Sequence, residues 1–520
     1  MSVLELPWLD ITISACVVGS LAVGRVRDPH RAARIGLGFT AAVFAFSVLA
    51  WLGFHTGADP DAIRAASLQP RLFGRDLLTL DDLSAPLVPA AALLHFLTAL
   101  ATTRVRMRRF SFAWSLASES ILLAMFSCRA SWLLVGLLSI CTVPPYFELR
   151  NRRRPTRVYV VHMALFVTLL VLGWAGVEAN LGGAPPIWAV VMLMAAILVR
   201  SGTVPAHCWV TDWFEHASFG VAILFVAPLA GVYAAVRLVL PIAPAWVLQG
   251  IGIASLFTAA YAAGMAAIQR DCQRMFANLF LSHASLVLVG LELHTEMSLT
   301  ASLCLWFSVI LSLGGFGLTM RALESRYGRL PLMNHLGIYE HSPTLAVCFL
   351  LTGLACVGFP GTVGFISAEL LVDSAVEASP YVGFVVVAAA ALNGIAVVRA
   401  YLILFTGAKH RSTIPLKIVE RERFALLTLS ALILGGGIFP QPGVTTRHEA
   451  AVAILKERRE YVAPGAGEHD GAPPSAGPER RAGAAPGGIE PGLASPISGR
   501  PIPRAPEGVL PVSRSRSSNR

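Results

Sequence analysis

Five ionisable side chains occupy apolar stretches of this chain: Glu119, Arg200, His207, His283 and Glu369. Such groups inside a membrane are costly, and by default they mark the route of an ion or proton. Glu119 is flanked by Ser118 and Ser120, and a carboxylate so placed can carry a proton as the neutral acid. His207 and His283 bear imidazoles, which change charge near neutral pH and suit proton loading and relay. Arg200 keeps its charge at any accessible pH, so it biases a neighbour's proton affinity but cannot itself relay. Each has a plainer alternative. Arg200 can snorkel or cap carbonyls, His207 can sit at the interface, and Glu119 can make a neutral polar contact between helices. His95 and His162 favour the plain reading, and Asp81 and Asp82 read as solvated residues at the mouth of a span.

Two interrupted segments position these groups. The first runs Ile197-Leu-Val-Arg200-Ser-Gly202-Thr-Val-Pro205-Ala-His207, and the second Ala355-Cys-Val-Gly358-Phe-Pro360-Gly361-Thr-Val-Gly364 through Glu369. Gly202 and Pro205, and later Gly358, Pro360 and Gly361, break the helical ladder. Backbone freed in this way cannot face lipid and must find partners in protein or in a wet cavity. Breaks at matching places in two halves point to a transport site.

The rest of the chain agrees with a membrane setting. It is 55% hydrophobic and only 14% charged, and apolar runs long enough to cross a bilayer recur throughout. The reading is an all-α polytopic membrane protein with about 14 transmembrane helices. Arginines gather in alternate loops, such as Arg150 to Arg157 and Arg321 to Arg329. This asymmetry puts those loops in the cytoplasm and the N-terminus outside, in the inner (plasma) membrane. The net charge of +10 therefore records topology, and no nucleic-acid partner is expected. Eight scattered cysteines lack any Cys-x-x-Cys pair, so no metal site is expected. No phosphate-binding glycine loop is present either.

Residues 111–240 and 243–406 read as two five-helix repeats, each broken in its fourth member. An odd number of spans inverts the second repeat relative to the first. Residues 1–110 form peripheral helices. Residues 407–461 hold the last span and an amphipathic segment suited to a membrane surface. Residues 462–520 have the composition of a disordered tail.

In ordered series, the chain carries Leu80-Asp81-Asp82-Leu83-Ser84, Val143-Pro-Pro-Tyr-Phe147, Pro205-Ala-His207-Cys-Trp209, Gln269-Arg-Asp271, Ser282-His283 and Gly358-Phe-Pro360-Gly361. With these pieces it resembles the antiporter-like membrane subunits of NADH-quinone oxidoreductase (L, M and N) and of Mrp cation/proton antiporters. The resemblance implies fourteen helices, inverted repeats, broken helices seven and twelve, and proton transport within a larger assembly. It also marks departures. Ser139 stands where the family has glutamate, and Arg200 where it has lysine. The apolar stretch Ile223 to Leu229 and the uncharged run Val309 to Leu313 stand where further lysines or histidines belong. Ala368, beside Glu369, stands where lysine or glutamate is expected.

The function so implied is a proton-translocating subunit of an assembly like NADH-quinone oxidoreductase (complex I) or Mrp. Its partners would be other membrane subunits, and its ions protons or monovalent cations. It would have no cofactor or redox centre of its own, quinone being met only through partners. The alternatives are a non-conducting scaffold, or the membrane subunit of an inorganic-carbon uptake system.

Overall fold

The computed structural model describes residues 3–462, apart from 58, 60–62, 64, 65, 68, 70–75, 104–106, 108, 109, 181–183, 294 and 408–417. The expected tail therefore lies almost wholly outside the described residues. Among those described, the protein is all helical, with two isolated β-bridges and no strand.

In chain order the helices are α1 (Trp8–Gly24), α2 (Pro29–His55), α3 (Leu87–Leu100), α4 (Phe112–Ser127), α5 (Ser131–Ile140), α6 (Val143–Asn151) and α7 (Arg157–Glu178). They continue with α8 (Ile187–Ser201), α9 (Cys208–His216), α10 (Phe219–Val226), α11 (Ala230–Ala234, running into a π turn at Ala235–Val239), α12 (Ala245–Ile268) and α13 (Cys272–Glu292). The series ends with α14 (Glu296–Tyr327), α15 (Pro343–Cys356), α16 (Val363–Ala378), α17 (Pro380–Phe405), α18 (Glu420–Ile438) and α19 (Gln441–Val462). Eight spans among the described residues are long and apolar enough to cross a membrane unaided, and five shorter apolar helices accompany them.

Burial separates core from rim. In a bilayer, a helix that is apolar all round can face either lipid or other helices, so packing alone decides its place. The apolar windows of α13 and α14 are 100% and 89% enclosed, against 28% for α2. Helices α13 and α14 thus form the centre, while α2 lies at the rim with most of its surface uncovered by this chain. Starts and stops follow local chemistry: Asp28 and Asp271 cap α2 and α13 through their carboxylates, each satisfying orphan N–H groups.

Two local expectations change. Arg321 is no free loop charge: α14 runs on past it, and its guanidinium is buried, donating to the Thr98 carbonyl (2.9 Å) and the Thr102 hydroxyl (2.9 Å). Asp81 is not freely solvated. It pairs with Arg237 and lies 3.6 Å from Arg129. Burial alone would raise its carboxyl, but the Arg237 charge and the Ser84 amide hold it below the usual aspartate range. The amphipathic segment is the helix α19, which turns by 77° from α18. It packs Ala450, Ala451, Ile454 and Leu455 into protein, so its apolar face is covered by the fold rather than by lipid.

Candidate functional site

The first break begins where α8 ends at Ser201. Gly202 follows at φ +73°, a left-handed conformation that a residue with a Cβ resists. Space is short as well: a Cβ there would lie 2.8 Å from Leu281 Cδ2 and from Val210 Cγ2. The carbonyls freed by the break find fixed donors. The Trp209 indole donates to Val199 O (2.9 Å), and the Thr203 hydroxyl to Leu198 O (2.8 Å). The Val204 amide donates to the Thr258 hydroxyl of α12 (3.0 Å).

Arg200 is buried at the end of α8. Its guanidinium lies 4.3 Å from the Phe225 ring centre and 5.6 Å from that of Trp209, a cation–π setting. The Cys141 thiol is within hydrogen-bonding reach. Its Nε is buried without a partner, and it makes no ion pair among the described residues. His207 lies across the break, half-buried against the Tyr261 ring at 5.5 Å.

At the second break α15 ends at Cys356, Gly358 and Gly361 take φ +80° and +82°, and α16 starts at Val363. Here the freed Cys356 carbonyl meets a titratable group. His283 Nε2 is 2.6 Å from it, while His283 Nδ1 is 2.7 Å from Leu279 O. Carbonyls only accept, so the neutral ring can donate to one of the two and only the imidazolium to both. The contacts at the first break come from donors that never titrate, and the side-chain contact at the second from a group that does.

One helix touches both breaks. On α13, Leu281 abuts Gly202 and His283 reaches Cys356. Between them the Ser282 hydroxyl donates to Ala259 O (2.9 Å) and accepts from Asn393 Nδ2 (2.9 Å).

The structure thus brings Arg200 and His207 to the first break and His283 to the second. Glu119 and Glu369 lie elsewhere. Glu119 is fully buried on α4, near Cys16 of α1, and neither carboxylate oxygen has a hydrogen-bond partner. Glu369 is on the exposed face of α16. Arg399 ties together the carbonyls of Ala267 (3.1 Å), Gln269 (2.9 Å) and Leu332 (3.2 Å), a structural clamp. The His95 and His162 rings bond carbonyls four residues back in their own helices.

Sequence reasoning passed over a third interruption. Between α10 and α11, Leu229 sits at φ +54°, and the Pro228 carbonyl accepts from the Trp306 indole (3.0 Å). Pro228 in an apolar run was the available signal. Cys141 and Phe225, which hold Arg200, carried none.

The fold and site define an all-helical, multi-pass membrane protein with two interrupted helices joined through one buried helix. Residues 157–393 match the family described as NADH:quinone oxidoreductase/Mrp antiporter, TM. NADH-quinone oxidoreductase subunit 13 of Thermus thermophilus is 27% identical over 72% of this chain and 85% of that protein. NAD(P)H-quinone oxidoreductase chain 4 of Synechococcus sp. is 24% identical over 87% and 90%. In fold, the chain resembles a chain of respiratory complex I from Thermus thermophilus with bound NADH, with TM-score 0.75, 22% identity, and coverage of 86% of this chain and 99% of that one. It also resembles a chain of the Mrp complex from Dietzia sp., with TM-score 0.74, 17% identity, and coverage of 89% and 100%. Over residues 157–393 the chain is similar to the antiporter-like membrane subunits of NADH-quinone oxidoreductases and Mrp antiporters.

Proposed function

We propose that this chain translocates protons as one subunit of a multi-subunit complex in the inner membrane, of the NADH-quinone oxidoreductase or Mrp kind. In this reading it has fourteen spans, the N-terminus outside, and inverted repeats over 111–240 and 243–406. Any quinone or NADH chemistry belongs to partner subunits. The observation that carries the reading is the contact of α13 with both breaks: Leu281 at the first and His283 at the second.

The proposed sequence of events uses this chain's own groups. His207 takes up a proton at the cytoplasmic side of the first break. The fixed charge of Arg200 sets the proton affinity of groups around it. Protonated His283 donates to both Leu279 O and Cys356 O, and on losing its proton it can hold only one of them. The second break thus has two bonding states governed by one proton, the kind of bistable element that coupling needs. Glu119 is a buried proton store at the periphery, reached by way of α1.

Partner subunits are supported by the exposed face of α16. Glu369, Asp373 and Glu377, spaced four residues apart, all lie on it. Carboxylates on a membrane-embedded surface are stable only when covered by protein or water.

A second reading, a scaffold that conducts nothing, is favoured by one feature. The stretch from Ile223 to Leu229, the run Val309 to Leu313, and Ala368 are apolar, so the route between the breaks lacks fixed ionisable side chains at these points.

The test is proton flux by the intact complex in sealed vesicles, read with an internal pH dye. Arg200→Ala is expected to reduce flux at least tenfold while the complex remains assembled. Equal flux from wild type and Arg200→Ala would favour the scaffold.

A further inference from the structure

Arg200 opens onto a cavity of about 50 Å³, room for a few waters. Its walls include Ser111 and Ser115 of α4, Cys141 beyond α5, Phe225 of α10, and the carboxylate of Glu148 on α6. Ser115 Oγ is buried and unpartnered, as is Arg200 Nε. Glu148 is the one carboxylate in this wall. Its side chain is 11% exposed, held loosely by Arg152 at 3.5 Å and by the Ser218 amide at 3.3 Å. A buried guanidinium without a counter-charge is strongly destabilising, and Glu148 is the carboxylate that shares this cavity with Arg200.

We propose that Glu148 is the proton carrier that works with Arg200 at the cytoplasmic end of the first half. This rests on the proton-translocating reading above. The carboxylate faces Arg152 of its own helix toward the surface. Across the cavity it faces Arg200 of α8, the Cys141 thiol and the serines of α4. A proton arriving from the cytoplasm binds a Glu148 carboxylate oxygen, and the side chain passes from charge −1 to 0. The cavity wall then loses its one carboxylate charge, with Arg200 facing it one residue before the α8 terminus. When the proton moves on to cavity water beside Ser111 and Ser115, the carboxylate regains its charge. Proton occupancy of Glu148 is thereby tied to the electrostatics of the Gly202 break. Glu119, on the neighbouring face of α4, does not line this cavity and cannot take this role.

Proton flux in vesicles carrying the intact complex tests the proposal, with wild type, Glu148→Gln, Glu148→Asp and Arg200→Ala compared at equal complex content. Glu148→Gln is expected to lower flux at least tenfold. Glu148→Asp, which keeps an acid on a shorter arm, is expected to keep measurable flux with a displaced pH midpoint. Flux within twofold of wild type in Glu148→Gln, while Arg200→Ala abolishes it, would overturn the carrier role and leave the proton-translocating reading standing. Unchanged flux in both variants would overturn that reading as well. Should Glu148→Gln fail to assemble, the Asp variant decides: an unmoved pH profile contradicts the proposal.

Discussion

Replacing His283 with leucine removes the donor that reaches the second break while roughly keeping side-chain volume. The bond lost is Nε2 to Cys356 O at 2.6 Å, made by a ring that is 3% exposed. The Cys356 carbonyl, at the C-terminus of α15, is then left buried without its side-chain donor. Leaving a buried acceptor unpaired costs about 2 kcal/mol, and every 1.4 kcal/mol is a tenfold change in an equilibrium. Local opening around Val357 to Thr362 should therefore become roughly 30-fold more populated. Hydrogen–deuterium exchange of a peptide covering 354–364 reads this directly, as faster exchange at the break amides. Exchange in α8, whose freed carbonyls use Trp209 and Thr203 instead, should stay as in wild type. His283→Gln, which retains one amide donor, should fall between the two. Exchange within about twofold of wild type in the leucine variant would refute the claim that His283 holds the break.

Two further outcomes follow from the geometry. Gly202→Ala places a Cβ at φ +73°, 2.8 Å from Leu281 and Val210, costing about 1–2 kcal/mol for the backbone alone. The purified complex should melt at lower temperature, and an unchanged melting temperature would contradict the stated strain. Asp81→Asn leaves Arg237 without its main counter-charge, a loss of roughly 1–3 kcal/mol for a partly buried pair. Because Arg237 and Ser84 hold the Asp81 carboxyl below its ordinary value against the opposing effect of burial, its contribution is full above about pH 4. It fades as pH falls through the lowered folded value. Acid titration of thermal stability should show that component in wild type and lack it in the variant.

The helices and both breaks were legible because their signals are local. Apolar length announces a span, and Gly202, Pro205, Gly358 and Pro360 interrupt the ladder whatever surrounds them. What sequence could not fix was rotation about each helix axis. Glu369 turns outward on α16, Glu119 faces α1, and Arg321 lies within α14 instead of in a loop. Each depends on which neighbour the helix packs against, and that is a tertiary decision. Glu148 follows Pro-Pro-Tyr-Phe at the end of an apolar stretch, where sequence gives it no distinct signal. Only the placement of α6 against α8 shows that it shares a cavity with Arg200. The dual carbonyl contact of His283 spans 73 residues, a distance over which no spacing rule operates.

The most direct test of the account is proton movement itself: the initial rate of internal acidification or alkalinisation in sealed vesicles containing the intact complex, with and without its driving reaction. The account predicts driven flux in wild type that falls at least tenfold in Arg200→Ala. Driven flux of equal size with the arginine removed would contradict it.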